Sequence, residues 1–441
     1  MPDRYLVAVL IAGLAVALPA AAQERPALAL TLADAQARAV AASHRLPEVQ
    51  AREAAALAAV EARVAAKRPL LSAQAGYTRT NHVLEFTVPT ATGVPRVLYP
   101  DVPDNYRTRL DLQWPIFTGG RSDALERAAR AEAAAVAAEV TVARADLRLE
   151  VARAFWAVVT ARSAAAVLEQ GLARAQAHVA DVQERLNAGL VPPNEVATAQ
   201  AQESRARMLL IEARNQHAVA SAELARLTGV DLDQPIEPTA TLDDAVAAGS
   251  EVGELVDAAR ASRAERVSLA RRIDVADEQR TAALAGRLPS VAVAGGVDYA
   301  RPNTRIFPRA DRWDDSWDLG VNVNWSFWDG GRTAADAAQA RSLGDAARQR
   351  LSEFDAVLAV EVRQRSLEIE SGRAAIAAAG DAVRAATEAR RVIMERYQAG
   401  VATQSEVLDA DLALLQSELD RTRAQANVRL AEARLNRAVG R

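Results

Sequence analysis

The side chains able to do chemistry near neutral pH are few. Four histidines, at 44, 82, 178 and 217, lie far apart with no HExxH or other paired spacing, so each reads as a surface or helix-face residue rather than a metal ligand or base. There is no cysteine, which excludes thiol nucleophiles, thiolate metal sites, disulfides and a lipidated N-terminal cysteine for want of the atom. The one lysine, Lys67, stands outside any glycine-rich loop, so a phosphate-binding loop is absent. Arginines are scattered among 57 acids at a formal charge of −4, leaving no basic stripe for nucleic acid. No nucleophile sits beside a base and no cofactor loop is present. The expectation is a non-enzyme with no cofactor and no metal, whose polar residues act through position and charge.

The elements that would position such residues are long. The chain has 441 residues, 50% hydrophobic and 25% charged, which suits a folded chain with a substantial core. Arg4 precedes an apolar run from Tyr5 to Leu18, and Pro19-Ala20-Ala21-Ala22 offers a signal-peptidase site, so residues 1–22 read as a signal peptide and the mature protein as exported. That run is shorter than the roughly 20 residues a membrane-spanning helix needs. No later stretch approaches 18 consecutive apolar residues without charge, so any membrane insertion must use something other than a helix.

The chain is one unit written twice. Trp114-Pro-Ile-Phe-Thr-Gly-Gly-Arg121 returns as Trp325-Ser-Phe-Trp-Asp-Gly-Gly-Arg332, an offset of 211. Glu184-Arg-Leu-Asn-Ala-Gly189 returns at the same offset as Glu395-Arg-Tyr-Gln-Ala-Gly400, and Leu224 and Gly229 as Leu435 and Gly440. The expected organisation is a first repeat over 23–229, an equatorial linker at 230–250 and a second repeat over 251–441. Each repeat reads as a helix (32–67 in the first), two strands, a very long helix (120–187), a glycine turn and a further helix. The helix after each turn carries a heptad stripe rich in alanine, which allows close helix packing but suits a soluble coiled coil equally well. The two shorter helices together match the long one in length, so they can stack end to end beside it. Strands then fall at one end of a rod, glycine turns at the other, and the linker near the middle.

Between Tyr106 and Phe117 the residues alternate, with Leu110, Leu112, Trp114 and Ile116 facing one way and Arg107, Arg109, Asp111 and Gln113 the other. Trp317 to Phe327 repeats the pattern against polar Asn322 and Asn324, and weaker partner strands fall near 71–80 and 291–299. Of 18 aromatics, 13 lie in 77–117 and 299–328, which places them where a membrane-interface girdle belongs. A soluble sandwich shares the alternation, yet the long helices offer no second layer to cover the sheet. Four strands cannot close on themselves and an open edge is not tolerated in lipid, so the reading requires an oligomer. The loops at 81–105 and 300–316 then face outward, and Thr118 and Asp329 stand where they can cap the long helices.

With these features the chain resembles the outer-membrane efflux proteins of the TolC type, over residues 30–440. The likeness rests on the duplication, on the strand-to-helix junctions (Trp114, Gly119, Gly120; Trp325, Gly330, Gly331) and on the tips Arg185-Leu-Asn-Ala-Gly189 and Arg396-Tyr-Gln-Ala-Gly400. The resemblance implies a fold that is mainly α with a small β part: antiparallel coiled-coil hairpins forming an α-barrel, and four strands per chain contributing to a trimeric 12-stranded transmembrane β-barrel. It implies a homotrimer set in outer-membrane lipid, a passive duct for drugs, metals or proteins in a tripartite efflux or type I secretion system. The partners are a periplasmic adaptor and an inner-membrane transporter. By the same resemblance Glu406 and Asp409 form the gate and constriction, Tyr397 and Glu195 a latch, and Gly189, Leu190, Gly400 and Val401 the adaptor-docking tips. The sequence departs from the family in Ala402, where a basic residue is usual, and in Pro192-Pro193. Glu195, Glu406 and Asp409 are also where acids stabilise the start of any helix. The rival readings are a periplasmic adaptor, which would need no apolar-faced strand pairs, and a structural coiled-coil protein of the envelope.

Overall fold

The computed structural model describes residues 26–243 and 251–441; the signal-peptide reading and the end of the linker lie outside them. In chain order the elements are β1 (Leu28–Leu30), α1 (Leu32–Ala42), α2 (Arg45–Ala65), β2 (Leu70–Arg79), β3 (Phe86–Val88), β4 (Arg96–Tyr99), β5 (Asp104–Phe117), α3 (Arg121–Asn187) and α4 (Pro193–Thr228). There follow β6 (Ile236–Pro238), α5 (Val252–Ser262), α6 (Ala264–Leu284), β7 (Ser290–Arg301), β8 (Asp314–Asn324), α7 (Arg332–Gln398) and α8 (Gln404–Ala438). The long helices α3 and α7 are each 67 residues, about 100 Å at 1.5 Å per residue.

The helix expected over 32–67 is two helices. Ser43 is extended, with φ −66° and ψ 127°. Its Oγ accepts from the backbone N–H of Arg45 at 3.2 Å and of Leu46 at 3.4 Å. The hydroxyl thus satisfies two donors that a helix start leaves orphaned. Pro47 then falls in the first turn of α2, where its missing N–H costs nothing. In the second repeat extended Arg263 makes the same break, and its Nη1 donates to the Arg437 and Ala438 carbonyls at the end of α8 at 3.1 and 3.2 Å. The duplication is therefore looser outside the landmarks: α1 and α5 are offset by 220 residues (32 to 252), α3 and α7 by 211 (121 to 332). The difference falls in the strand connections, where 80–103 carries the added hairpin β3–β4 and 302–313 does not.

The core sits at mid-height. Ala35 and Ala39 of α1, Leu46 of α2, Leu147, Val151, Phe155 and Val159 of α3, and Leu224 and Leu227 of α4 pack together with Ile236 and Leu242. Here β1 pairs in parallel with β6, a pair the alternation did not reveal because three residues are too few to alternate. α1 and α4 thus meet beside the middle of α3, as the length matching requires. The second repeat has a smaller cluster of Leu255, Ala259, Leu358, Val362, Ala438 and Val439. The aromatics Phe155 and Trp156 correspond there to Ser366 and Leu367.

The main sheet has strand order β2-β5-β7-β8 and is antiparallel throughout. The register puts Leu110 opposite Val297, and Val297 opposite Trp317, on one face, while Arg109 and Asp298 share the other. The apolar face is open, with Trp317 73% and Val321 66% exposed. Strand β8 ends at Asn324, so the second-copy alternation stops there, and Trp325 and Phe327 stand below the sheet rather than in it. At the far end Tyr77 meets Tyr106, and Trp313 stacks on Tyr299 at 4.9 Å.

Phe155, with no exposed surface, anchors the mid-height core of the first repeat. Phe155→Ala is expected to cost about 3–5 kcal/mol, read as a lower denaturant midpoint; an unchanged midpoint would mean that the ends, and not the equator, hold the rod together.

Candidate functional site

The two hairpin tips are built alike. At the first, Gly189 (φ +69°) follows α3, and the N–H of Leu190 returns to the Arg185 carbonyl at 2.9 Å. At the second, Gly400 (φ +75°) follows α7, and the N–H of Val401 returns to Arg396 O at 2.8 Å. This is the left-handed helix stop that only glycine adopts without strain, and it satisfies the last carbonyls of the helix. The turns leave Leu190 73% and Val401 65% exposed.

The chains leaving the turns differ. At the first tip Pro193 opens α4 and Pro192 precedes it, with no side-chain cap. At the second, Thr403 and Glu406 form a capping box: Thr403 N donates to Glu406 Oε2 at 2.7 Å and Glu406 N to Thr403 Oγ1 at 3.3 Å. The Thr403 backbone N–H and hydroxyl hold the Glu406 carboxyl below its ordinary pKa. Glu406 therefore has a capping role within the single chain, and Asp409, one turn further along the helix, is exposed.

Tyr397 and Glu195 lie at the same end. Tyr397 is 4% exposed, and its hydroxyl has no hydrogen-bond partner among the described residues. Burial raises its pKa; the Arg185 guanidinium opposes this, and the Glu195 carboxylate adds to the rise. The Arg185 guanidinium lies over the ring at 4.4 Å while its Nε donates to Asp181 at 3.1 Å. The bond that ties α4 to α8 runs instead through Gln404, whose Nε2 donates to the Glu195 backbone carbonyl at 2.8 Å. Beneath Tyr397, with ring centroids 5.8 Å apart, sits His178. It is 4% exposed, and neither nitrogen is hydrogen-bonded among the described residues. Of the surface or helix-face reading, the surface part fails: His178 is a buried helix-face residue, seven residues before Arg185 and two turns along the same face of α3. Its heptad spacing from Arg185 is the sequence signal that places it on that face. It lines a cavity of about 30 Å3 with Arg174, Gln202 and Asp411.

At the other end the junctions repeat each other. Gly119-Gly120 and Gly330-Gly331 turn the chain with positive φ. Thr118 Oγ1 accepts from Ser122 N at 3.1 Å, and Asp329 Oδ2 from Thr333 N at 2.8 Å, so both residues cap the long helices. Trp114 Nε1 donates to Lys67 O at 3.2 Å and Trp325 Nε1 to Arg287 O at 3.1 Å, fixing each indole where the strands give way to helix. No group of three or more histidine, aspartate or glutamate side chains among the described residues is arranged to hold a metal.

The sequence profile described as outer membrane efflux protein matches residues 30–230 and 255–441. The chain belongs to that family. It is 27% identical over 262 residues to the outer membrane protein TolC of Vibrio cholerae, a match covering 58% of this chain and 59% of that protein, so it spans less than two thirds of that relative's length. Two solved structures share the fold. The outer membrane protein VceC of Vibrio cholerae has a TM-score of 0.76 at 21% identity, over 93% of this chain and 96% of that one. The CmeC outer membrane channel of Campylobacter jejuni has a TM-score of 0.77 at 15% identity, over 93% and 85%. As in these efflux proteins, the chain is mainly helical with a small strand part and an internal repeat.

Burial lowers the pKa of His178; Asp411 and Asp181 partly oppose this, and Arg185 and Arg390 reinforce it. A histidine depressed in the folded state binds fewer protons folded than unfolded, so its contribution is intact above about pH 6.5 and is lost as pH falls from there. His178→Leu should narrow the drop in melting temperature between pH 7.5 and 5.5; an equal drop in both proteins would place the acid sensitivity elsewhere.

Proposed function

We propose that this efflux protein is the outer-membrane exit duct of a tripartite efflux or type I secretion assembly, a passive conduit driven by an inner-membrane transporter through a periplasmic adaptor. The observation that carries the reading is the sheet: four strands of 10 to 14 residues with an exposed apolar face and two unpaired edges, β2 and β8, on the end of a helical rod. Strands of this length span a bilayer when tilted. Unpaired edge groups in lipid cost several kcal/mol each, so other copies must close the sheet. Three chains give the 12-stranded barrel of the family resemblance.

In a trimer the second tips converge, and three copies of Asp409 and Glu406 form the constriction, where like charges crowd and attract cations. The Thr403 bonds leave Glu406 ionised, which suits that role. Tyr397 has an unspent hydroxyl donor and Glu195 an unspent carboxylate, the two halves of a latch that closes when hairpins draw together. Opening is a two-state movement of the hairpins, biased by an adaptor that grips the apolar Leu190 and Val401 beyond the glycine turns. Drugs, metals and proteins are the cargo classes; the tip acids favour none that is anionic.

The first test is the native mass of the protein after detergent extraction of outer membranes, followed by conductance in planar bilayers. A trimer that conducts supports the duct; release without detergent, or a monomer, returns the chain to the adaptor or structural readings. In the same bilayers Glu406→Gln with Asp409→Asn should abolish cation preference, and Tyr397→Phe with Glu195→Ala should raise conductance. A trimer insensitive to either pair removes the corresponding role. For docking, Leu190→Asp with Val401→Asp is expected to abolish pump-dependent export while leaving bilayer conductance intact; retained export would move the adaptor contact elsewhere.

A further inference from the structure

The polar face of the sheet holds an ion-pair cluster that no part of the tip mechanism uses. Arg109 on β5 reaches across β7 to β8. Its Nε donates to Asp111 at 2.5 Å, its Nη1 to Asp298 and, at 3.0 Å, to Asp318, and its Nη2 to the second Asp318 oxygen at 3.3 Å. Arg107 Nε donates to the other Asp298 oxygen at 2.6 Å, and Arg305, from the connection 302–313, pairs with Asp318 at 2.7 Å. Three arginines thus balance three aspartates, of which Asp298 is 4% exposed.

Gly296 makes this bridge possible. In register it lies between Asp111 and Asp318, the residues to either side of it across the sheet. A Cβ at 296 would stand 2.7 Å from Arg109 Nη2 and 2.8 Å from the Leu110 carbonyl, closer than either can allow. The guanidinium therefore lies over a position of β7 that has no side chain. Beside it a cleft of about 350 Å3, lined by Gln74, Thr78 and Asn303 as well as these arginines, remains open.

We propose that Arg109 is a specificity-determining residue of the duct. Seated over Gly296, it joins Arg107 and Arg305 in balancing the carboxylates of Asp111, Asp298 and Asp318, so that the barrel carries no net fixed charge at this level and admits solutes of either sign. Charge in a narrow lumen with low-dielectric walls sets which ions enter, and balanced charge sets no preference. The β-barrel end then acts as a neutral exit while the tips discriminate. This inference rests on the duct reading above.

The test is the reversal potential of the trimer in a potassium chloride gradient, with Glu406→Gln and Asp409→Asn present throughout so that tip acids do not mask the barrel. Arg109→Gln leaves three aspartates facing two arginines in each chain and should raise cation-over-chloride permeability by about twofold or more. Arg305→Gln, on a surface connection where folding is not at stake, should shift it the same way by less. Arg109→Gln with Asp318→Asn should return the ratio toward that of the parent. Channels that conduct with an unchanged ratio in both single variants overturn the proposal and leave the duct intact. Absence of conductance in the parent as well overturns the duct reading and this inference with it.

Discussion

Backbone hydrogen bonds at the edges of one sheet govern the rest of the molecule. Strands β2 and β8 each present a free row of N–H and C=O groups beside an apolar face, and lipid supplies nothing to pair them. A single chain has no internal remedy, because its long helices lie end-on to the sheet and not across it. Closure by further copies fixes how the helices must continue below, since each strand pair leads directly through a Gly-Gly junction into a 67-residue helix. The capping by Thr118 and Asp329 and the indole bonds of Trp114 and Trp325 secure this passage in both repeats.

Much of this was legible in the sequence because it is written twice. A duplicated Trp…Gly-Gly-Arg motif locates both junctions, and strict alternation gives the faces of β5 and its partner. The duplication misled where the copies diverge, as where β8 stops before Trp325; the break in the early helix falls in both copies, at Ser43 and Arg263, which resemble each other in conformation and not in residue type. The small parallel pair β1–β6 is fixed by contact with the mid-height core, a tertiary effect that a three-residue pattern cannot announce. Arg109 was visible as a polar-face residue, but its reach over Gly296 depends on register across three strands.

The tip shows how one residue answers two demands. Glu406 satisfies the orphaned N–H of Thr403 in the isolated chain, so a helix-start acid is present for local reasons and any ring of such acids would come at no added local cost. Tyr397 is the opposite case: it is buried beside His178 with no partner for its hydroxyl among the described residues, a local expense. A lone histidine among alanines carries no motif, and the burial of His178 comes from several elements around α3, with Gln202 of α4, Tyr397 of α7 and Asp411 of α8 beside it.

The two tips share their glycine stop and returning hydrogen bonds, yet one is followed by Pro192-Pro193 and the other by Thr403-Gln404. In an assembly of three chains the ends of the rod would therefore show six nearly equivalent knobs by shape and two alternating sets of three by chemistry. A partner that recognises the backbone contour and the apolar side chain just beyond it would count six places; one that reads the capping residues would count three. The stoichiometry of any complex formed there is thus decided by which atoms the partner touches, and not by the number of chains beneath it.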